Sequence, residues 1–308
     1  MSATRRAAVA GLGLAALAAP ARARAPAGLQ AGLEAAAAAA PGRLLVLVRD
    51  LASGAEAGVR ADEPAPMHSA VKLFVAAWAA GEVAAGRLSD ADTVLLRRET
   101  SPSGPGRVDR ALAAAGVLSP SVAEMIAAVL LDSDNAATDG LISLAPAPVA
   151  IGAALRLPRS VRITRTMRAL YAEPPRTQAA WDAFLADPRD QATPRGFVGA
   201  LDRLARGRLA GAAADARVRA LMEQAPVGAA RLTAGLGPDW RVQGRTGTGV
   251  RLEDRRSSTN HAALAIHRRT GRTLAMAALL KEAGGDDAAR DAAIAQAGAA
   301  VRAAWPDG

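Results

Sequence analysis

Ser69 and Lys72 stand three positions apart in this chain of 308 residues, and a hydroxyl and an amine at that spacing can do covalent chemistry. Residues three apart share one face of a helix, which brings the lysine amine within reach of the serine hydroxyl. Serine attacks a carbonyl poorly until a base removes its proton. A partly desolvated lysine beside other cations has a lowered pKa and can be that base. At a helix N-terminus the free amide of the serine also becomes a donor for a developing oxyanion. Composition singles out the lysine: of 38 basic residues, 36 are arginine and two are lysine, Lys72 and Lys281. Arginine holds its proton too tightly to act as a base, so a lysine kept in such a chain marks a place where arginine does not serve. The competing reading is an N-capping serine with a surface lysine after it, the ordinary meaning of an isolated S-x-x-K. Lys72, however, lies in the apolar run Ser69-Ala-Val-Lys-Leu-Phe-Val-Ala-Ala-Trp-Ala-Ala80, the pattern of a buried helix.

Two further motifs offer complementary groups. Ser133-Asp134-Asn135 supplies a hydroxyl for relaying a proton to a leaving nitrogen, and the Asn135 amide can bond both a substrate carbonyl and the lysine. These residue types also cap helices everywhere, and that reading stays open. Arg245-Thr246-Gly247-Thr248 supplies a cation and two hydroxyls for a substrate carboxylate, and a glycine that lets a strand approach a ligand. The Thr248 amide is a second candidate oxyanion donor. An ordinary strand with a glycine bulge is the alternative here.

These motifs fall at the joints of a legible layout. A helix over Gln30–Ala40 precedes an apolar strand, Arg43–Arg49, a turn, and a second strand over Glu56–Ala61. Ser69 opens the buried helix, and Ser119-Pro120 caps another that runs to Leu131. Asp132 to Asn135 interrupts before a further helix to Leu144. Prolines break the stretch from Pro158 to Pro194; helices follow from Thr193-Pro194 and over Ala214–Gln224. Strands return over Trp240–Thr246, His261–His267 and Thr273–Leu280, and Asp286–Trp305 closes as a helix. The fold class expected is α+β: an antiparallel sheet built from both chain ends with flanking helices, and an all-helical part inserted between them. The α/β part covers about 26–70 and 235–308, and the helical part about 71–234.

Composition excludes several classes. There is no cysteine, hence no disulfide framework, thiolate zinc site or cysteine nucleophile. His68, His261 and His267 are too few and too scattered for a multi-histidine centre, so neither metal nor cofactor is expected. Arg5-Arg6 followed by an uncharged run to Ala19 and small residues around Ala21–Ala25 reads as an export signal over 1–25, with Thr4-Arg5-Arg6 also fitting a twin-arginine signal. That run is shorter than the ~20 residues a bilayer requires. The mature chain is therefore expected to be periplasmic or secreted, monomeric, and without stable membrane insertion. Losing 1–25 lowers the formal charge from +9 to +5. With one tyrosine and three phenylalanines there is no base-stacking platform, and no nucleic-acid partner is expected.

With 64 residues between Ser69 and Ser133 and 112 between Ser133 and Arg245, the three motifs resemble those of the penicillin-recognising serine hydrolases, most closely the class A β-lactamase family. Pro66-Met67 before the serine, Asp134-Asn135-Ala-Ala-x-x-x-Leu141, Thr193-Pro194 and Pro238-Asp-Trp240 extend the likeness over roughly residues 30–305. The resemblance implies that Ser69 is acylated, Lys72 activates it, Ser133 shuttles a proton, Asn135 orders substrate and lysine, and Thr246 and Thr248 bind substrate. Arg245 stands where the family has lysine. The family's hydrolytic members carry E-x-x-L-N between these motifs, whose glutamate activates the deacylating water; that motif is absent, and Asp182 or Glu173 are the substitutes on offer. The expected activity is β-lactam opening through an acyl-Ser69 intermediate. The alternatives are a D-alanyl peptidase, amidase or esterase that deacylates slowly, or a silent binding module of the same fold.

Overall fold

The computed structural model describes residues 24–172 and 174–308. Most of the candidate signal segment 1–25, and Glu173, lie outside the described residues.

The central sheet takes β1 (Arg43–Asp50) and β2 (Glu56–Val59) from the N-terminal part, and β3 (Trp240–Thr248), β4 (Arg251–Leu252), β5 (Arg255–His267) and β6 (Thr273–Ala283) from the C-terminal part. The order is β2-β1-β6-β5-β3, all antiparallel, with β4 also on β5. The C-terminal strands run longer than their apolar cores, because Arg255 to Thr259 pairs although its residues are polar.

The run Leu44–Val48 is apolar at every position because both faces of the sheet are covered. Leu45 and Leu47 enter the core on one face; Leu44, Val46 and Val48 enter the core on the other. The second core is closed by α1 (Leu29–Ala39) and a long C-terminal helix, Asp287–Ala304. The first runs without a break from the sheet into the helices of the middle segment. The inserted helical part therefore shares its core with one face of the sheet. Among these helices α2 (Lys72–Ala84) is buried at every residue from Lys72 to Ala80, as the uncharged stretch Leu73–Ala80 requires. Around it lie α3 (Arg107–Ala115), α4 (Val122–Leu131), α5 (Asn135–Ser143) and α6 (Pro148–Ala154). The cap of α4 is Ser121 rather than Ser119: its hydroxyl accepts from the Glu124 amide, and the Glu124 carboxylate accepts from the Ser121 amide.

The proline-broken stretch contains α7 (Met167–Tyr171) and α8 (Gln178–Ala186). Buried Asp190 closes it, accepting from the Thr164 amide at 2.7 Å and from Arg165 Nε at 2.5 Å. Then follow α9 (Pro194–Ala205), packed on the sheet, α10 (Ala212–Gln224), α11 (Leu232–Leu236), and α12, the Asp287–Ala304 helix. Among the described residues no single helix is long and apolar enough to cross a membrane.

Candidate active site

Ser69 does not open α2 directly. It sits in a short 3-10 turn, His68–Val71, whose first residue has φ 47°, and α2 begins at Lys72. The turn is fixed from the sheet. Ser258 donates to the Pro66 carbonyl at 2.7 Å, and Asn260 Nδ2 donates to the Pro66 and Met67 carbonyls at 2.8 and 3.1 Å. Gly247 lets β3 press on the same turn, since a Cβ there would lie 2.3 Å from the Met67 carbonyl oxygen. Ser69 thus remains partly exposed while its neighbours are buried.

Lys72 is fully buried beneath it. Its Nζ lies 3.2 Å from Ser69 Oγ and 3.2 Å from Ser133 Oγ, and it donates to the Ser133 carbonyl and to Asn135 Oδ1, each at 2.6 Å. Burial holds the amine well below the ordinary lysine pKa, and the Arg245 charge lowers it further; Asp109, Asp134 and Asp139 oppose this without reversing it. A base of lowered pKa thus stands between two hydroxyls.

The SDN motif reaches the lysine because two helix ends cap each other. Asp134 accepts from the Ala137 amide of its own helix and from the Val108 and Asp109 amides of α3. Asp109 in turn accepts from the Asn135 and Ala136 amides of α5. Ser133, at the joint, takes a left-handed φ of 59° that turns its carbonyl and its hydroxyl toward Lys72. Asn135 spends its other end on the Ser103 carbonyl at 2.8 Å. Capping and site assembly are therefore one arrangement, with the capping done by Asp134.

These groups open on a cleft of about 720 Å³ whose lining includes Ser69, Ser103, Ser133, Asn135, Arg168, Tyr171 and Thr248. That volume suits a small molecule. β3 is an edge strand, and the Gly249 amide donates across the ladder to Ser258 at 2.8 Å. By antiparallel alternation the Thr248 amide points off the free edge instead, and Thr248 lines the same cleft as Ser69. A larger cavity of about 1000 Å³ inside the 165–190 segment is lined by Arg165, Leu170, Phe184 and Arg189 among others. Its Thr177 hydroxyl is committed to capping α8, and it holds none of the three motifs.

Besides Lys72, buried beneath Ser69, and Gly247, which presses on the Met67 turn, three expected site residues lie outside the cleft lining. Arg245 is fully buried, donating to the Leu130 carbonyl at 3.3 Å, with Nε and Nη2 unpartnered. It shares the inward face of β3 with Gly247, and its charge lowers the Lys72 pKa; burial lowers its own pKa to about 10. Thr246 is half-buried and outside the cleft lining. Asp182 is exposed on α8 and accepts from Gln178 at 2.6 Å, because the helix turns Trp181 and Leu185 inward and leaves Asp182 and Ala183 outside.

The structure also adds residues. Arg231 reaches Thr248 Oγ1 at 2.8 Å and is paired with Asp291 at 2.7 Å. Tyr171 lines the cleft beside the Ser69 hydroxyl, backed by buried His68. No motif announces either; the only trace of Tyr171 is that it is the sole tyrosine of the chain.

The sequence profile of the beta-lactamase enzyme family matches residues 28–305. Beta-lactamase L2 of Stenotrophomonas maltophilia is 31% identical over 207 residues; the match covers 67% of this chain, which spans 64% of the length of that relative. The structure of the class A beta-lactamase reconstructed as the last common ancestor of Gram-negative bacteria superposes with a TM-score of 0.77 at 30% identity, covering 91% of this chain and 100% of that one. A beta-lactamase from Burkholderia vietnamiensis gives 0.75 at 27% identity, covering 91% and 97%. One from Chitinophaga pinensis, at 18% identity and a TM-score of 0.78 over 90% and 98% of the two chains, shares the fold.

Proposed function

The chain belongs to the beta-lactamase enzyme family, and from that premise we propose that it is an exported serine hydrolase that opens β-lactam rings through an ester on Ser69. One observation carries the reading: a buried lysine amine of lowered pKa lies 3.2 Å from both the Ser69 and the Ser133 hydroxyls. Lys72, as the neutral amine, takes the Ser69 proton while Oγ forms a bond to the lactam carbonyl carbon. The carbonyl oxygen gathers charge between the Ser69 and Thr248 amides. The proton passes by Ser133 to the ring nitrogen as the C–N bond breaks, and the product is an acyl ester. Water then gives its hydroxyl to the acyl carbon and a proton to Ser69, restoring the enzyme. A cleft of this volume with the hydroxyl at its base suits a small cyclic amide. The 1–25 segment supports export, with periplasmic or secreted destination.

A second reading, a D-alanyl peptidase or amidase that acylates but turns over slowly, is favoured by the outward position of Asp182, which leaves the described cleft lining without a carboxylate.

A mass spectrum after incubation with benzylpenicillin tests both. We expect a transient adduct of the whole antibiotic on Ser69 and none on Ser69→Ala; a long-lived adduct selects the second reading, and no adduct rejects both. The intact mass of the exported protein from the same run reports whether 1–25 is removed.

A further inference from the structure

Ser69 has a second polar neighbour besides Lys72. The Tyr171 hydroxyl lies beside the Ser69 hydroxyl at the cleft surface. Behind it His68 Nδ1 is 3.3 Å from the Tyr171 oxygen, and His68 Nε2 is 2.8 Å from the hydroxyl of fully buried Ser257. The imidazole is stacked between the rings of Tyr171 and Phe184, each centroid 5.9 Å away and 20° from parallel. Gly249 leaves room for this, since a Cβ there would lie 2.7 Å from His68 Nε2 and 2.1 Å from Ser257 Oγ. A row of hydroxyl, phenol, imidazole and hydroxyl thus runs from the nucleophile into the protein.

Burial lowers the His68 pKa to about 3 and raises that of Tyr171 to about 12, so both groups are neutral at physiological pH. A neutral imidazole donates from one nitrogen and accepts at the other. In the tautomer that gives Nε2–H to Ser257, Nδ1 takes the phenol proton and the Tyr171 oxygen is left as an acceptor toward the cleft. In the free enzyme the Ser69 hydroxyl lies 3.2 Å from Lys72 Nζ and shares the cleft with Tyr171. Once Ser69 is an ester it has no proton to give, and the Tyr171 oxygen is left facing the ester with an acceptor position to fill. A water filling it stands beside the acyl carbon.

We infer that Tyr171, oriented by His68 and Ser257, is the positioning residue that seats the ester-hydrolysing water at acylated Ser69. This rests on the acyl-Ser69 reading above. In the step itself water forms the new C–O bond, the ester bond to Ser69 Oγ breaks, and the water's proton ends on Oγ; Tyr171 accepts a hydrogen bond throughout and is chemically unchanged.

The test follows formation and loss of label from a fluorescent penicillin on the full chain. Tyr171→Phe keeps the ring stacked on His68 and removes only the hydroxyl. We expect label to form within about threefold of the wild-type rate and to persist about a hundredfold longer, the loss a misplaced reactant brings. Ser257→Ala should lengthen the lifetime by a smaller factor in the same direction. If Tyr171→Phe does not fold, as judged by its melting curve, Ser257→Ala decides alone. An unchanged or shortened lifetime, or equal falls in formation and loss, overturns the inference. Wild-type protein that takes no label overturns the acyl-Ser69 reading and this inference together; label of unaltered lifetime in the variants overturns this one alone.

Discussion

A lysine in a chain with 36 arginines is informative because the two cations differ in one chemical respect, the ability to become neutral. Lys72 exploits that difference through depth: it is fully buried, and Arg245 is buried near enough to push its proton off. Lys72→Arg should therefore slow labelling of Ser69 by at least about a hundredfold although the charge is kept, the scale of removing a general base. The sign of the Arg245 effect is separately testable. Acylation needs neutral Lys72, so its rate falls as pH drops through the lysine pKa. Arg245→Met removes a charge that lowers this pKa, so the pKa rises and the acid limb of the acylation profile moves to higher pH. An unmoved limb would mean that Arg245 acts by packing. Burial stays in force in the variant, so the limb should not reach the ordinary lysine range.

At the scale of elements, the site depends on helix ends more than on helix faces. A helix N-terminus leaves amides without intrahelical acceptors, and here α3 and α5 satisfy each other's through Asp134 and Asp109. The pairing places the Ser133–Asn135 corner beside the buried lysine. Replacing Asp134 by alanine strands three buried amides, those of Val108, Asp109 and Ala137. We expect a loss of about 3 kcal/mol in urea unfolding, near the upper range for a buried unsatisfied group. A slower labelling rate should accompany it, since Ser133 loses its fixed φ. A cost below about 1 kcal/mol would mean that water satisfies those amides. Both strained residues near the site, His68 and Ser133, flank the reacting atoms, where backbone strain is commonly tolerated.

For the molecule as a whole, the sheet and the helical segment are held as one body by a shared core and by ion pairs across their junction. Glu56 on β2 lies between Arg49 of β1 and Arg195 of α9, with 2.9 Å to the latter. Desolvation pushes its pKa up, but the hydrogen bonds and charges of the two arginines win, and it lies below the ordinary carboxylate value. A carboxylate with a depressed folded-state pKa stabilises above its unfolded pKa, and that contribution is lost as pH falls through the folded value. Acid unfolding should thus include this group below about pH 4.3, and Glu56→Gln should flatten the fall in stability there while lowering stability at pH 7. Urea midpoints at pH 7, 4 and 3 measure both effects.

By itself, the order of residues determined the elements and much of the site. Apolar continuity over Leu44–Val48 required a strand covered on both faces, the uncharged run after Lys72 required a buried helix, and the spacing of Ser69 and Lys72 required a shared face. Such features depend on neighbours a few positions away, which a linear chain displays. Asp182, Thr246 and Arg245 lie outside the cleft lining and Tyr171, Arg231, Ser258 and Asn260 went unread, because their places depend on segments that meet only after folding. Which face of α8 looks outward is decided by what packs on Trp181, and how deep Arg245 lies is decided by the turn that Gly247 admits. Tertiary structure alone brings the Tyr171 oxygen to Ser69 across 102 residues of chain, because the Arg165–Asp190 clamp folds that segment over the cleft.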